Sequence, residues 1–295
     1  MRDKNREDKL IEIFVFMDDL CQEIEKVAFE QGKELKLPRR SGLCLSEILT
    51  ILVYYHHSGY KCFQYYYERL VLDAMNSYFP GAMSYKRFLS YIPGCLPHLF
   101  LIAHIRCAQA AQTGVYFVDS KKLPVCDNRR IHSHKVFEGL AARGKSSTGW
   151  FYGLKLHLTI NNLGQVVRFL ITPANRMDNS PDVLEKLFHN LSGICFGDKG
   201  YQTRHKLFEE FFQKGLHLVT KIRRNMKNQL MKWQHKLWLI KRNVIESVND
   251  ILMTVFDIDH TRHRSPVNAL CHLISGIIAY DFSPNKPTVI FPNNH

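Results

Sequence analysis

The sequence predicts an α/β protein: a mixed sheet flanked by helices, preceded by an α-helical N-terminal domain. Two patterns lead there. Up to about Gln112 the apolar residues recur at three- and four-residue steps, the period of a helix face. Beyond it, short β-rich runs come first in succession and then alternate with helical stretches, which is how a sheet with helices on its faces is written along a chain. A third observation concerns chemistry: two of the short apolar runs each end in an aspartate, Val118-Asp119 and Gly197-Asp198.

The elements follow in order. Leu10, Ile13, Phe14, Met17, Leu20, Cys21 and Ile24 mark one face of a first helix. A basic turn, Leu35 to Gly42, precedes a second helix opening near Ser46, which Gly59 interrupts. Phe63 to Met75 is a Tyr-rich third helix, and Ser84 opens a fourth. Then Gly114 to Asp119 reads as a strand, followed by a basic connection from Lys121 to Thr148 with no regular pattern. Trp150 to Ile160 and Val166 to Ile171 read as strands around the turn signal Asn161-Asn162-Leu163-Gly164. Pro181 suits the first turn of a helix through Leu191. Ile194 to Asp198 is a buried strand, Lys206 to Gln213 a helix and Leu216 to Thr220 a strand. A long helical stretch holds Trp238 to Leu252, and Pro266 to Tyr280 is a last apolar helix, expected to pack on the sheet domain. This is the element order of an RNase H-like domain. The expected boundaries are 1–112 for a helical domain, whose helices and basic turns either dock on DNA or serve packing alone, and 113–295 for the sheet domain with its C-terminal helix.

Composition narrows the function classes. Lysine and arginine total 40 against 27 acids, a net charge of +13 in 295 residues. Such an excess favours a polyanionic partner, because neutralising phosphates releases condensed counterions. No uninterrupted apolar run reaches the roughly 18 residues of a membrane span, and no signal-peptide pattern is seen, so a cytoplasmic protein is expected. The eight cysteines are scattered without a Cys-x-x-Cys pair, which argues against a zinc ribbon and for reduced, packed thiols.

An apolar strand that delivers a carboxylate at its end places the charge at a sheet edge, where ligands of open α/β sheets bind. Taken singly, Asp119 or Asp198 is better explained as a turn or helix cap. Jointly they are specific, because two neighbouring carboxylates repel unless a cation lies between them. Oxygen-only ligands suit Mg²⁺ or Mn²⁺. A third acid, Glu246, lies on the last long helix, where Val244, Ile245 and Val248 would anchor the helix and leave Glu246 to reach the sheet edge. The basic residues from Lys121 to Lys145, among them Arg143 and Lys145, read as a DNA-backbone groove beside that edge or as a solvated loop. His132-x-His134 lacks a third nearby ligand, His157 either faces the site or packs, and Trp233 and Trp238 read as packing residues.

With these residues in view the chain resembles the IS982-family transposases of bacterial insertion sequences, a branch of the DDE group. The segments that carry the likeness are Val118 to Cys126, Gly149 to His157, Gly197-Asp198-Lys199-Gly200-Tyr201 and Arg242 to Leu252. The resemblance implies that Asp119, Asp198 and Glu246 are catalytic and hold two divalent ions, Mg²⁺ or Mn²⁺. It gives Arg242 the place of the arginine four positions before the glutamate, with Lys199 and Lys121 as further DNA contacts. It implies strand cleavage and strand transfer on double-stranded DNA, at element ends and target. It also implies a homodimer when the ends are synapsed, no membrane partner, and a bacterial cytoplasmic protein at the nucleoid. Met253 and Leu239 depart from the family's cation and tyrosine at those positions. Two other readings stay open: a decayed element that only binds DNA, and an RNase H-like nuclease.

Overall fold

In the computed structural model, residues 2–30, 42–146, 149–221, 231–259 and 263–290 are described. Two compact units result: Met1–His104 with Leu252–Ser283, and Ile105–Ile251 with Pro284–His295.

The first unit is helical. Helix α1 (Arg2–Glu30) buries Leu10, Ile13, Met17, Leu20 and Cys21, the stripe its spacing predicts. Helix α2 (Leu45–Ser58) starts where the Glu47 carboxylate accepts the Cys44 N–H at 2.7 Å, and ends at Gly59, whose φ of 80° is a left-handed conformation costing glycine nothing. Nearly all of α2 is buried, packed on α1 and on α9 (Pro266–Asp281). Helix α3 (Phe63–Tyr66) continues as a π-helical stretch, Tyr67–Ala74. Its rings meet Tyr55, Tyr85 and Phe88, and the Tyr66 and Tyr67 hydroxyls donate to the carbonyls of Ile51 and Met83 at 2.9 and 2.7 Å. Helix α4 (Tyr85–Gln109) contains Pro93 and Pro97 and is long and apolar enough, by length and composition, to cross a membrane. Its buried residues Phe88, Ile92, Cys95, Leu99 and Ile102 recur at helical steps, as expected of a helix packed by one face. Helix α9 departs from the expectation: it belongs to this helical unit through α2, not to the sheet. An apolar helix carries no mark of which apolar surface will cover it. Of the basic turn expected at 35–42, only Gly42 lies within the described residues.

The second unit is built on a six-stranded sheet. Strand β1 (Val115–Cys126) pairs antiparallel with β3 (Gly149–Asn161), which pairs antiparallel with both β2 (Ala142–Ser146) and β4 (Val166–Pro173). On its other side β1 runs parallel to β5 (Gly193–Gly197), and β5 to β6 (Leu216–Thr220). The β3–β4 turn is held by the Asn161 carboxamide oxygen, which accepts the N–H groups of Leu163 and Gln165, both at 3.0 Å. Helices α5 (Pro181–Leu187) and α6 (His205–Gln213) contribute Leu184, Leu187, Leu207 and Phe211 to a core shared with Tyr116 and Val118 of β1. Because side chains alternate along a strand, Phe117 points to the opposite face. There it meets Trp238 of α7 (Trp233–Lys241), as does Phe196 of β5. Helix α8 (Asn243–Thr254) follows after Arg242. The single long helix expected here is thus two, while a mixed sheet flanked by helices after an N-terminal helical region is as expected.

Two strand readings are corrected. Strand β1 does not stop at Asp119 but continues to Cys126, with Leu123 and Val125 buried on alternate positions. Lys121 and Lys122 before Leu123, and Pro124 between the two apolar residues, disguised the alternation. The connection thought irregular also contains β2, so Arg143 and Lys145 sit on a strand.

Candidate active site

The register of the parallel pair decides where the two aspartates lie. Pairing between β1 and β5 ends at Val118↔Gly197, so Asp119 and Asp198 are the next residues on adjacent strands. Asp119 still pairs with Leu158 of β3 on its other side. It therefore occupies a mid-strand position whose β5 flank has opened, which gives a rigid backbone and a carboxylate at the mouth of the sheet. Asp198 leads into a single 3₁₀ turn, Lys199–Tyr201, closed by the Tyr201 N–H donating to the Asp198 carbonyl at 2.9 Å.

Helix α8 supplies the facing wall. Val244, Ile245 and Val248 are buried and anchor it, while the Glu246 side chain is about half exposed. Arg242, Glu246 and Asn249 fall at helical steps of four and three, hence on one stripe. The buried Arg242 guanidinium donates to Glu246 Oε1 at 2.8 Å. Asn249 Nδ2 donates to Asp119 Oδ2 at 3.1 Å, tying helix to sheet. Among the described residues, Arg242 Nε and Asn249 Oδ1 are buried without a hydrogen-bond partner.

Burial pushes the Asp119 carboxyl up from 3.8 to about 6; the Arg242 charge opposes this, and the carboxylates of Glu246 and Asp178 add to it. Asp178 is a residue that reading the sequence missed. Its turn setting, Met177-Asp178-Asn179-Ser180, marks it only as a helix-entry residue. In the fold it is held by Lys155 Nζ at 3.0 Å, with His157 Nδ1 at 3.9 Å. Lys155 also donates to the Arg176 carbonyl at 2.8 Å, and His157 Nε2 contacts Thr172 Oγ1 at 2.9 Å. Burial lowers the His157 pKa, so the ring is neutral. Asp178 further packs on the turn that follows Asp198: a Cβ on Gly200 would lie 3.7 Å from Asp178 Oδ2, and Asn179 Nδ2 donates to the Gln202 carbonyl at 2.8 Å. His157 thus packs into a polar layer behind the site. Asn249 was legible in principle, since its spacing from Glu246 puts it on the same helix stripe.

The remaining expected residues scatter. Lys121 Nζ is 3.1 Å from Asp250 Oδ1, an exposed ion pair on the rim. Lys199 is exposed beside Asp198. Arg143 and Lys145 are far along β2. Met253 and Leu239 are buried, so both positions serve packing. Trp238 packs as expected, whereas Trp233 is 69% exposed.

Do these residues suit divalent ions? The donors are all oxygens, and two carboxylates, Glu246 and Asp178, bear on Asp119 with Arg242 as the opposing cation. Among the described residues no three His, Cys, Asp or Glu side chains converge closely enough to form a ready-made ligand cluster. The oxygen donors by themselves suit Mg²⁺, which binds through one or two carboxylates and keeps water and substrate phosphate as its other ligands.

A family model for a transposase DDE domain matches residues 109–266, from the end of α4 to the start of α9. No curated protein and no solved structure matches the chain.

Proposed function

We propose, from the premise that this chain belongs to the transposase DDE domain family, that it cuts and joins DNA at the ends of a bacterial insertion sequence, with Asp119, Asp198 and Glu246 as its catalytic acids. The observation that carries the reading is the register that leaves Asp119 and Asp198 side by side where β5 ends, faced by the helix bearing Glu246.

Each residue has a task. Asp119, Asp198 and Glu246 would hold Mg²⁺ or Mn²⁺, two ions in the full site. Bound there, the ions activate the attacking oxygen and stabilise the leaving one in an in-line displacement. Asn249 fixes the rotamer of Asp119, and Arg242 holds Glu246 against the site. Lys199 and Lys121 are placed to meet phosphates on either flank, Lys121 by exchanging Asp250 for the backbone. The first reaction is attack of water at the element end, and the second is attack of the freed 3′-hydroxyl on target DNA. Recognition of the ends falls to the N-terminal helical segment, where Lys61, Lys86 and Arg87 are exposed. Its partners are two DNA duplexes and, at synapsis, a second copy of the chain.

The test is cleavage of the element's own terminal DNA by the purified chain with Mg²⁺ or Mn²⁺. Asp119→Asn, Asp198→Asn and Glu246→Gln should each lower the rate by on the order of 10³-fold while leaving DNA affinity nearly unchanged. Full activity in any one of them would remove that residue from the triad. Binding without cutting by the wild type would overturn the enzymatic reading.

A further inference from the structure

The β2–β3 hairpin presents a surface that none of this chemistry uses. Lys145 pairs directly with Trp150, and Arg143 with Tyr152, so these four side chains share one face. Trp150 is 52% exposed, although large aromatics are usually covered. The Arg143 guanidinium carbon lies 5.2 Å from the centre of its ring and Lys145 Nζ 5.8 Å. Both cations are exposed, and among the described residues neither forms an ion pair. The opposite face of the hairpin is packed: Gly144 and Phe151 are buried, and a Cβ on Gly144 would meet the Ala174 carbonyl at 2.3 Å. The Trp150 carbonyl accepts a hydrogen bond from Asn128 Nδ2 at 2.7 Å. The backbone that carries the ring is thus held in place, while the ring itself is half exposed.

Resting on the DNA reading above, we infer that Trp150 is a stacking platform for an unpaired base of the DNA substrate, with Arg143 and Lys145 holding the phosphates on either side of that base. Two uncompensated cations gathered on one ring repel each other, and a phosphodiester relieves them both. The indole offers a flat π-face and no ordered set of donors, which suits stacking without base readout. Bases inside an intact duplex have both faces covered by their neighbours, so the partner is a nucleotide already out of the stack: a gap, a frayed end or a melted step. The hairpin is remote from the acids. Trp150 lies at the far end of β3 from Leu158, the partner of Asp119. At the strand rise this is roughly 25 Å, or about seven base steps of DNA. The contact therefore grips DNA away from the cut.

Two probes of equal length test this on the full chain, one a complete duplex and one carrying a three-nucleotide gap with 2-aminopurine in the gap. Wild type should quench 2-aminopurine on binding. Trp150→Ala should abolish the quench and weaken binding to the gapped probe about tenfold, with less than a twofold change on the complete duplex. Trp150→Phe, which keeps a ring, should retain part of the quench, and it decides the matter if circular dichroism finds the alanine variant misfolded. Lys145→Ala should weaken both probes and lower the salt slope by about one. Undiminished quenching and gapped-probe affinity in Trp150→Ala would overturn the inference, as would a changed oligomeric state with DNA affinity intact. Failure of the wild type to bind any DNA would overturn the functional reading beneath it.

Discussion

The helical unit and the sheet unit bury polar groups in opposite ways. In the helical unit the buried hydroxyls of Thr50 and Ser275 donate to the carbonyls one helical turn back, both at 2.7 Å, and Tyr66 reaches the Ile51 carbonyl. The buried His56 is kept neutral by burial and meets the Phe256 carbonyl at 2.6 Å through Nδ1. Most of these groups serve helices that apolar packing already specifies. In the sheet unit the partners are side chains on different elements: Asn249 with Asp119, Lys155 with Asp178, His157 with Thr172. Among the described residues, Arg242 Nε and Asn249 Oδ1 there have no hydrogen-bond partner, and neither does His56 Nε2 in the helical unit. The first unit turns most of these groups onto its own backbone, with Ser46 and Asp18 as a side-chain pair; the second joins more of them side chain to side chain across elements.

The contrast can be broken by measurement, starting with the largest effect. Ile274→Ala, at a fully buried position of α9, should cost about 3 kcal/mol of unfolding free energy without a specific effect on the acids. A loss below about 1 kcal/mol would mean that the helical unit is not held by its packing.

Asp119→Asn should act in the other direction. The Asp119 carboxyl titrates near 6 in the fold instead of near 3.8. Between those values the native state holds more protons than the unfolded chain, so stability falls as pH rises through that window, and the cost is complete above 6. Asparagine cannot titrate. The metal-free variant should be more stable than wild type at neutral pH by about 1–3 kcal/mol, the lower figure allowing for the remaining solvent at a mostly buried group. Its unfolding curve should also lose the slope between pH 4 and 6. Equal pH profiles for the two proteins would show that Asp119 is not strained by its setting.

Lys155→Met leaves Asp178 without its cation in a part-buried place and should cost about 2 kcal/mol. Combined with Asp178→Asn, the double variant should recover about 1 kcal/mol of that, and strict additivity in a double-mutant cycle would dissolve the proposed cluster. Smallest of all, removing the exposed Lys121–Asp250 pair should change stability by less than about 0.5 kcal/mol, an effect that salt screens away. A larger, salt-resistant change would mean that the rim is part of the buried network.

Much of this was legible along the chain. The helical period through α1, the stop of α2 at Gly59, the Asn161 turn and the aspartates of β1 and β5 are local events, decided by residues a few positions apart. The anchoring of α8 by Val244, Ile245 and Val248 with Glu246 left outward was readable for the same reason. What escaped has a different character. The continuation of β1 past Asp119 depends on ladder bonds to β3, which supply pairing that the run Ser120 to Cys126 does not advertise. Asp178 read as a turn residue because its meaning lies in Lys155, on another strand.

By itself, then, the sequence determined most of the elements and their order, the basic character of the chain and the acids worth suspecting, because propensity, periodicity and charge are carried residue by residue. The tertiary structure alone decided that α9 joins the helical unit and that Arg143 and Lys145 gather on Trp150. It alone decided that Asp119 feels Arg242, Glu246 and Asp178 together. Packing partners and the local dielectric depend on which surfaces meet, and surfaces far apart in the chain meet only when it folds.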